Sequence, residues 1–369
     1  MSVIGASGGI GQPLCLLMKM NRYVSSLCLY DRTRPPGVAV DLSHINTPCS
    51  VVGLRGEPNL PDALKGSDIV IITAGVPRKP GMSRDDLFAM NARVVSQFAD
   101  ACAKYCPNAF VLLLTNPINS LLPLFTEVYR RKGIDGSQRL FGMSSLDAIR
   151  TATFVSNELH IAPSLCTVPV IGGHAGTTII PLLSQLQGNY YNRLDAEAIT
   201  KRIQFGGDEV VAAKEGSGSA TLSTAYAIAS FTASLLHAMD GDENVVEHAF
   251  IQQDYRNCHF FSSKVRLGIN GVEEPVPIPG NLSMYEEDMI EKALPVLEQQ
   301  AEKGREFAKL YHSIVSFQQT ESESTCFPPP CEEGVKEARW CWAWFAVVIV
   351  RESVSIREAR TETRLKAHL

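Results

Sequence analysis

Short apolar runs rich in Val, Ile and Leu alternate along the first 140 residues with longer stretches in which apolar positions recur every three or four. The runs at 2–4, 26–30, 51–54, 68–73 and 110–114 are bounded by Gly, Asp, Asn or Pro and predict strands. The stretches at 11–20, 83–105 and 118–132 carry the helical period and are long enough to cross from one strand to the next. Strand–helix–strand units repeated in this way imply a parallel sheet with right-handed crossovers, because a parallel partner is reached only through a long connection. Residues 1–143 are therefore expected to form an α/β, doubly wound domain.

From residue 144 the texture changes. A helix at 145–160, a β-rich stretch at 168–174, helices at 195–213 and 220–239, hairpin-like runs at 259–276 and a final helix at 283–311 predict a mixed α+β domain over 144–309. Ser144-Ser145-Leu146-Asp147 is a capping pattern that sets the start of the first of these helices. Residues 310–369 resemble nothing before them. A polar, Pro-rich segment at 316–334 precedes an apolar run at 340–350 that holds all three tryptophans (Trp340, Trp342, Trp344), and the end is mixed in charge. That succession reads as a linker, an apolar patch and a solvated, poorly ordered end.

Composition then removes several classes of function. Thirty-four Lys and Arg against thirty-nine Asp and Glu leave a net charge of −5, so no broad cationic face recruits nucleic acid or anionic lipid. Ten cysteines without a repeated spacing fit free thiols in a reducing compartment, and no metal site is expected from them. The longest strongly apolar run, 340–350, falls short of the ~20 residues that span a bilayer. A first strand beginning at Ser2 leaves no room for an N-terminal address, which makes the cytoplasm the default compartment. The terminal Ala367-His368-Leu369 is nevertheless similar to the Ser-Lys-Leu signal of peroxisomes and glycosomes.

Candidate chemistry begins in the first turn. Gly5-Ala-Ser-Gly8-Gly-Ile-Gly11 joins a strand to a helix, where glycines allow a tight turn and the free N–H groups of the helix start face a pyrophosphate. Asp31 ends the second strand, twenty residues after Gly11, where a carboxylate accepts hydrogen bonds from ribose hydroxyls and repels a 2′-phosphate. That favours NAD over NADP, although Arg32 and Arg34 weaken the preference. Arg78 and Arg84 lie in a Pro- and Gly-rich loop after the fourth strand, placed to turn inward as the loop closes and grip carboxylates. Asp147 and Arg150, three apart, share a helix face, and His174 follows two glycines at a strand end, where a nearby acid can fix its tautomer.

Taken together, the blocks Gly5-Ala-Ser-Gly-Gly-Ile-Gly-Gln-Pro-Leu14, Gly37-Val-Ala-Val-Asp-Leu-Ser-His44, Ala74-Gly-Val-Pro-Arg-Lys-Pro-Gly-Met82, Thr115-Asn-Pro-Ile-Asn119, Leu146-Asp-Ala-Ile-Arg150, Val168-Pro-Val-Ile-Gly-Gly-His174 and Gly218-Ser-Ala-Thr-Leu-Ser223 resemble the L-malate dehydrogenases of the mitochondrial and bacterial branch, within the lactate/malate dehydrogenase family. The resemblance runs in order from Met1 to about Lys309. It implies a Rossmann-type first domain, NAD as cofactor and a homo-oligomer, dimer or tetramer. It also implies roles: His174 as proton donor and acceptor, with Asp147 as its partner; Arg150 on the carboxylate beside the reacting carbon; Arg84 polarising the reacting oxygen; Arg78 on the second carboxylate. Gly5, Gly8, Gly11 and Asp31 would hold the cofactor, Asn116 would face nicotinamide and substrate, and Asn91 would add a second polar contact.

The chemistry agrees, since a dicarboxylate with a carbonyl or hydroxyl needs two cationic forks, one polarising donor and one acid–base group. Two further readings remain: a dehydrogenase of another 2-hydroxy acid, lactate or aromatic, which would lack a second carboxylate clamp, and a binding homologue that has lost turnover. Three features depart from the family pattern: a short first strand, Thr224 in place of a methionine near the substrate pocket, and the tail after Lys309.

Overall fold

The two halves of the chain share one sheet. The computed structural model describes residues 1–76 and 82–324, without the side chains of residues 84 and 314–324. Six strands, β1 (Ser2–Ile4), β2 (Ser26–Asp31), β3 (Ser50–Arg55), β4 (Ile69–Ile72), β5 (Phe110–Leu113) and β6 (Leu140–Gly142), run parallel in the order β3-β2-β1-β4-β5-β6. Their crossovers include helices α1 (Gly11–Met20), α2 (Pro35–Ser43), α3 (Leu60–Leu64), α4 (Arg84–Tyr105) and α5 (Ile118–Arg131). Every side chain of β4 and β5 is buried, as expected of parallel strands covered by helices on both faces. Strand order reverses direction between β1 and β4, and at such a switch point the loops beyond the strand ends diverge and open a crevice.

The second half adds α6 (Ser145–Leu159), β7 (Val170–Gly172), β8 (Ile179–Pro181), α7 (Ala196–Ala213), α8 (Leu222–Met239), β9 (Val245–Tyr255), β10 (Cys258–Gly268), β11 (Gly271–Pro275) and α9 (Met284–Ser324). Strand β9 meets β6 antiparallel at Gly142 and Phe250, and the order continues β9-β10-β7-β8, with β11 on the other part of β10. Residues Met1–Ser316 form one compact unit; of a second, Phe317–Leu369, residues 317–324 are described and are helical. No described helix is long and apolar enough to cross a membrane.

Several expectations are corrected here. The hairpin begins earlier than 259, because β9 is a strand of eleven residues paired along β10. Its turn is made by Arg256 and Asn257 at φ 48° and 67°, left-handed positions usually flagged by glycine. Helix α2, which the sequence pattern does not predict, starts on Pro35 and Pro36, residues that suit a first turn. The last helix passes 311 and reaches Ser324, since neither Gly nor Pro occurs between Gly304 and Pro328 to stop it. The apolar tryptophan patch and Ala367-His368-Leu369 lie outside the described residues.

The start of α6 is the most informative departure. Ser144 is its N-cap residue but makes no side-chain capping bond. Its hydroxyl instead shares a 2.6 Å hydrogen bond with Ser262 on β10, and the Asp147 carboxylate turns toward His174.

Candidate active site

The first part of the site is built from backbone. Gly5, at φ +92°, follows β1, and a Cβ there would lie 2.6 Å from the Ala74 nitrogen after β4. At Gly11 a Cβ would lie 2.2 Å from the Gly5 carbonyl oxygen, so the turn closes only without side chains. Gly8 is exposed and less confined. Helix α1 has Ile10 as its N-cap and no side-chain cap; Gln12 N donates to the Gly8 carbonyl at 3.1 Å and Pro13 has no N–H, so the amide offered to an anion at the helix start is that of Gly11. Asp31 sits beside this turn: Oδ2 accepts from the Ser7 amide at 3.0 Å, and Oδ1 from the amide and hydroxyl of Thr33 at 3.2 Å. The buried Ser7 hydroxyl has no partner among the described residues. A turn closed tightly at Gly5 and Gly11, an uncapped helix start and a carboxylate at the end of β2 together suit a dinucleotide.

Asn91 differs from the contact residue expected. Its side chain is fully buried, its oxygen accepting from Val76 N at 2.8 Å and its amide donating to the carbonyls of Val76 and Asn116 at 3.2 and 2.8 Å. Asn91 thus ties the loop after β4 to the loop after β5. Asn116 itself is exposed.

The second part is built from side chains. His174 Nδ1 lies 2.6 Å from Asp147 Oδ2, with the carboxylate 1% and the imidazole 14% exposed. An ionised carboxylate only accepts, so Nδ1 carries the hydrogen and Nε2 is left to exchange a proton. Asp147 lies in the first turn of α6, and Arg150, one turn on, approaches its other oxygen at 3.8 Å. That is ion-pair range but too long for a hydrogen bond, which leaves the guanidinium fork able to take a carboxylate. The His174 amide donates to Asn119 Oδ1 at 2.8 Å. The cation Arg78 lies outside the described residues; Arg84 opens α4, and its side chain lies outside them too. Ser83 caps that helix, its hydroxyl accepting from Asp86 N while the Asp86 carboxylate accepts from Ser83 N.

Other residues emerge only in three dimensions. His248, whose sequence surroundings carry none of the features that single out His174, accepts from Val170 N at Nε2 (3.2 Å) and is pushed down to about 4 by burial, then by Lys264, against the opposing pull of Asp147. A strand histidine in Val-Glu-His-Ala carries no local signal for this. Thr224, in the first turn of α8, donates its hydroxyl to the carbonyl of Ala220, just before that helix, at 3.0 Å. Among the described residues, no three His, Cys, Asp or Glu side chains are grouped to hold a metal ion.

Comparison with known proteins places this geometry. A model of the NAD-binding domain of lactate/malate dehydrogenases matches residues 1–142, and one of their α/β C-terminal domain matches 144–308. The mitochondrial malate dehydrogenase of Felis catus is 50% identical over 309 residues, 84% of this chain and 91% of that protein. Mitochondrial malate dehydrogenase 1 of Arabidopsis thaliana is also 50% identical, over 83% of this chain and 90% of its own length. Among solved structures, the malate dehydrogenase of Cryptosporidium parvum superposes with a TM-score of 0.70 at 32% identity, over 82% of this chain and 98% of that one.

Proposed function

The chain belongs to the lactate/malate dehydrogenase family of NAD-dependent oxidoreductases, and on that premise we propose that it interconverts malate and oxaloacetate with His174 as the acid–base residue. The observation that carries this reading is the 2.6 Å bond from His174 to the buried Asp147, with Arg150 one helical turn away. The nicotinamide, when bound, accepts or supplies the hydride. Gly5, Gly11, the start of α1 and Asp31 hold the dinucleotide, Gly8 lines the same turn, and Asn116 faces the reacting end. In oxidation, Nε2 of His174 takes the hydroxyl proton as the alcohol becomes a carbonyl; in reduction it returns that proton. Asp147 keeps the imidazole in the required tautomer and stabilises its protonated form. Arg150 binds the carboxylate next to the reacting carbon, Arg84 polarises the oxygen, and Arg78 takes the second carboxylate.

NADH oxidation with oxaloacetate, pyruvate and phenylpyruvate tests this directly. Oxaloacetate should exceed the others by about 10²-fold or more in kcat/KM, as expected where a cationic clamp would otherwise be left unpaired. Comparable rates with pyruvate or phenylpyruvate would assign another 2-hydroxy acid, and no turnover with any of the three a binding role.

The mitochondrion, which names the two relatives, is the compartment we extend to this chain; a full-length fluorescent fusion that stays diffuse or becomes peroxisome-like would reject it. A homo-oligomer, dimer or tetramer, is supported by Leu16, Leu17 and Met20 on α1 and Leu222 and Tyr226 on α8, all exposed apolar side chains. Light scattering would read its mass.

A further inference from the structure

The loop that carries His174 is not held by its own strand alone. Strand β7 touches β10 through the single register pair Gly172 and Ser262, and then the chain turns through Gly173 into His174. Asn119, in the first turn of α5 and 1% exposed, grips this turn from behind. Its Oδ1 accepts from the His174 amide at 2.8 Å, while Nδ2 donates to Thr178 Oγ1 at 3.2 Å and to Gln300 Oε1 of α9 at 2.9 Å. The orientation of the amide is unambiguous, because a backbone N–H can only donate and must meet the oxygen. Thr178 closes the turn in its own right, donating to the Ala175 carbonyl at 2.9 Å. Gly173 has no room for a side chain, since a Cβ would lie 2.6 Å from Asn119 Nδ2, from Leu297 and from Thr178 Oγ1.

Helix α9 supplies the other end of this support. One turn beyond Gln300, Lys303 pairs with Asp85 at the start of α4 and lies 4.8 Å over the Phe88 ring. Phe307 then meets Phe88 edge to face at 5.7 Å. One face of α9 therefore braces both the His174 turn, through Asn119, and the helix that Arg84 opens. The Asn119 contacts are buried or part-buried, and the one to Gln300 joins residues 181 positions apart in sequence.

We infer that Asn119, held in place by Gln300, is a positioning residue that fixes the His174 backbone so that Nε2 meets the substrate oxygen. The inference rests on the assignment of His174 as the acid–base group. A misplacement of about 1 Å at a reacting group can cost about 100-fold in rate, so a bond that sets the height of the His174 amide acts on turnover without touching substrate. Losing the bond also leaves a buried N–H unpaired, which lets the turn relax toward water.

The test compares Asn119→Leu, Asn119→Asp, Gln300→Leu and Gln300→Glu in the full chain. Asn119→Leu should lower kcat about tenfold or more per active site titrated with NADH, leave NADH affinity unchanged, and raise the solvent deuterium isotope effect on kcat as proton transfer becomes limiting. Asn119→Asp keeps an acceptor for the His174 amide and should recover most of the loss. Gln300→Leu should show a smaller fall of the same kind, reversed in Gln300→Glu, which still accepts from Asn119. If Asn119→Leu folds poorly, the Gln300 pair carries the test alone. Unchanged kcat and isotope effect in both leucine variants, or losses that follow only the fraction of folded sites, would overturn the inference. Wild-type protein that turns over no 2-oxo acid would instead overturn the reading on which it rests.

Discussion

The cofactor cradle and the proton-transfer site solve their problems in opposite ways. The cradle is local and made of backbone: Gly5, Ser7, Gly11 and Asp31 fall within one strand–helix–strand unit, and what matters is where side chains are missing. The proton-transfer site is made of side chains drawn from α5, α6, the turn after β7, and α9, with His174 and Asp147 27 residues apart and Asn119 and Gln300 181 apart. Close packing of backbone tolerates no added atom, whereas an assembled side-chain site tolerates volume changes but not the loss of one polar group. Variants in the first should fail by steric exclusion and variants in the second by lost chemistry.

The sharpest test of that contrast has the largest expected effect on turnover. His174→Ala should reduce kcat by about 10² to 10⁴-fold, the usual worth of a positioned acid–base group, while NADH binding measured by fluorescence titration stays at the wild-type level. Near-normal turnover would remove His174 from the chemistry and erase the distinction between the two regions.

Gly11→Ala attacks the other side. With only 2.2 Å between the added carbon and the Gly5 carbonyl, the turn must shift, at an expected cost of about 1 to 3 kcal/mol. NADH affinity should fall by roughly 5- to 150-fold, with kcat at saturating NADH much less affected. A kcat loss with unchanged affinity would show that the cradle is not independent of the proton-transfer site.

The same contrast explains what could be read in the chain beforehand. The sequence predicts a helix at 11–20 and α1 occupies Gly11–Met20, because its boundaries are set by adjacent glycines and by Asn21. Asp147 and Arg150 were expected on one face because a helix makes residues three apart neighbours. The partnership of His174 with Asp147 came from resemblance to a family, since no local rule joins two side chains across a loop, a strand and a helix. Nothing in the sequence alone links Asn119 with Gln300, which meet only after the sheet has brought α5 and α9 together. Strand β9 is not legible in the sequence because its turn uses Arg256 and Asn257 instead of glycine, and the Ser144 pattern has the form of a cap although its atoms are spent on Ser262 and His174.

Asp31 probes the border between the two regions, since it acts through a side chain within the backbone cradle. Asp31→Asn should lower the ratio of NADH to NADPH efficiency by about tenfold, the scale of a hydrogen bond to a charged group, and should loosen the Ser7 turn as the carboxylate is lost. Parallel kcat/KM measurements with the two cofactors would read it, and an unchanged ratio would leave discrimination to residues beyond Asp31.

The last comparison concerns groups next to the site that should not alter turnover at neutral pH at all. Glu247 and His248 are neighbours on β9 with opposite electrostatic signs. Burial lowers His248 from 6.5 to about 4, so the unfolded chain takes up a proton first on acidification. This contribution to stability is complete above pH 6.5 and is lost as pH falls toward 4, up to about 3 kcal/mol in all. Burial raises the Glu247 carboxyl, with the Ser234 hydroxyl at 2.6 Å only partly opposing it. Its contribution is therefore present at acid pH and lost as pH rises through the raised value. His248→Gln keeps an acceptor for Val170 N and removes the titration, so its Tm should fall less than that of the wild type between pH 7 and pH 5. Glu247→Gln should do the reverse, raising Tm at pH 7 and losing that advantage in acid, because the neutral amide no longer has to bury a charge. Melting curves at the two pH values, with kcat followed at pH 7, separate the effects. A large loss of turnover in either variant would mean that this part of β9 belongs to the proton-transfer site itself.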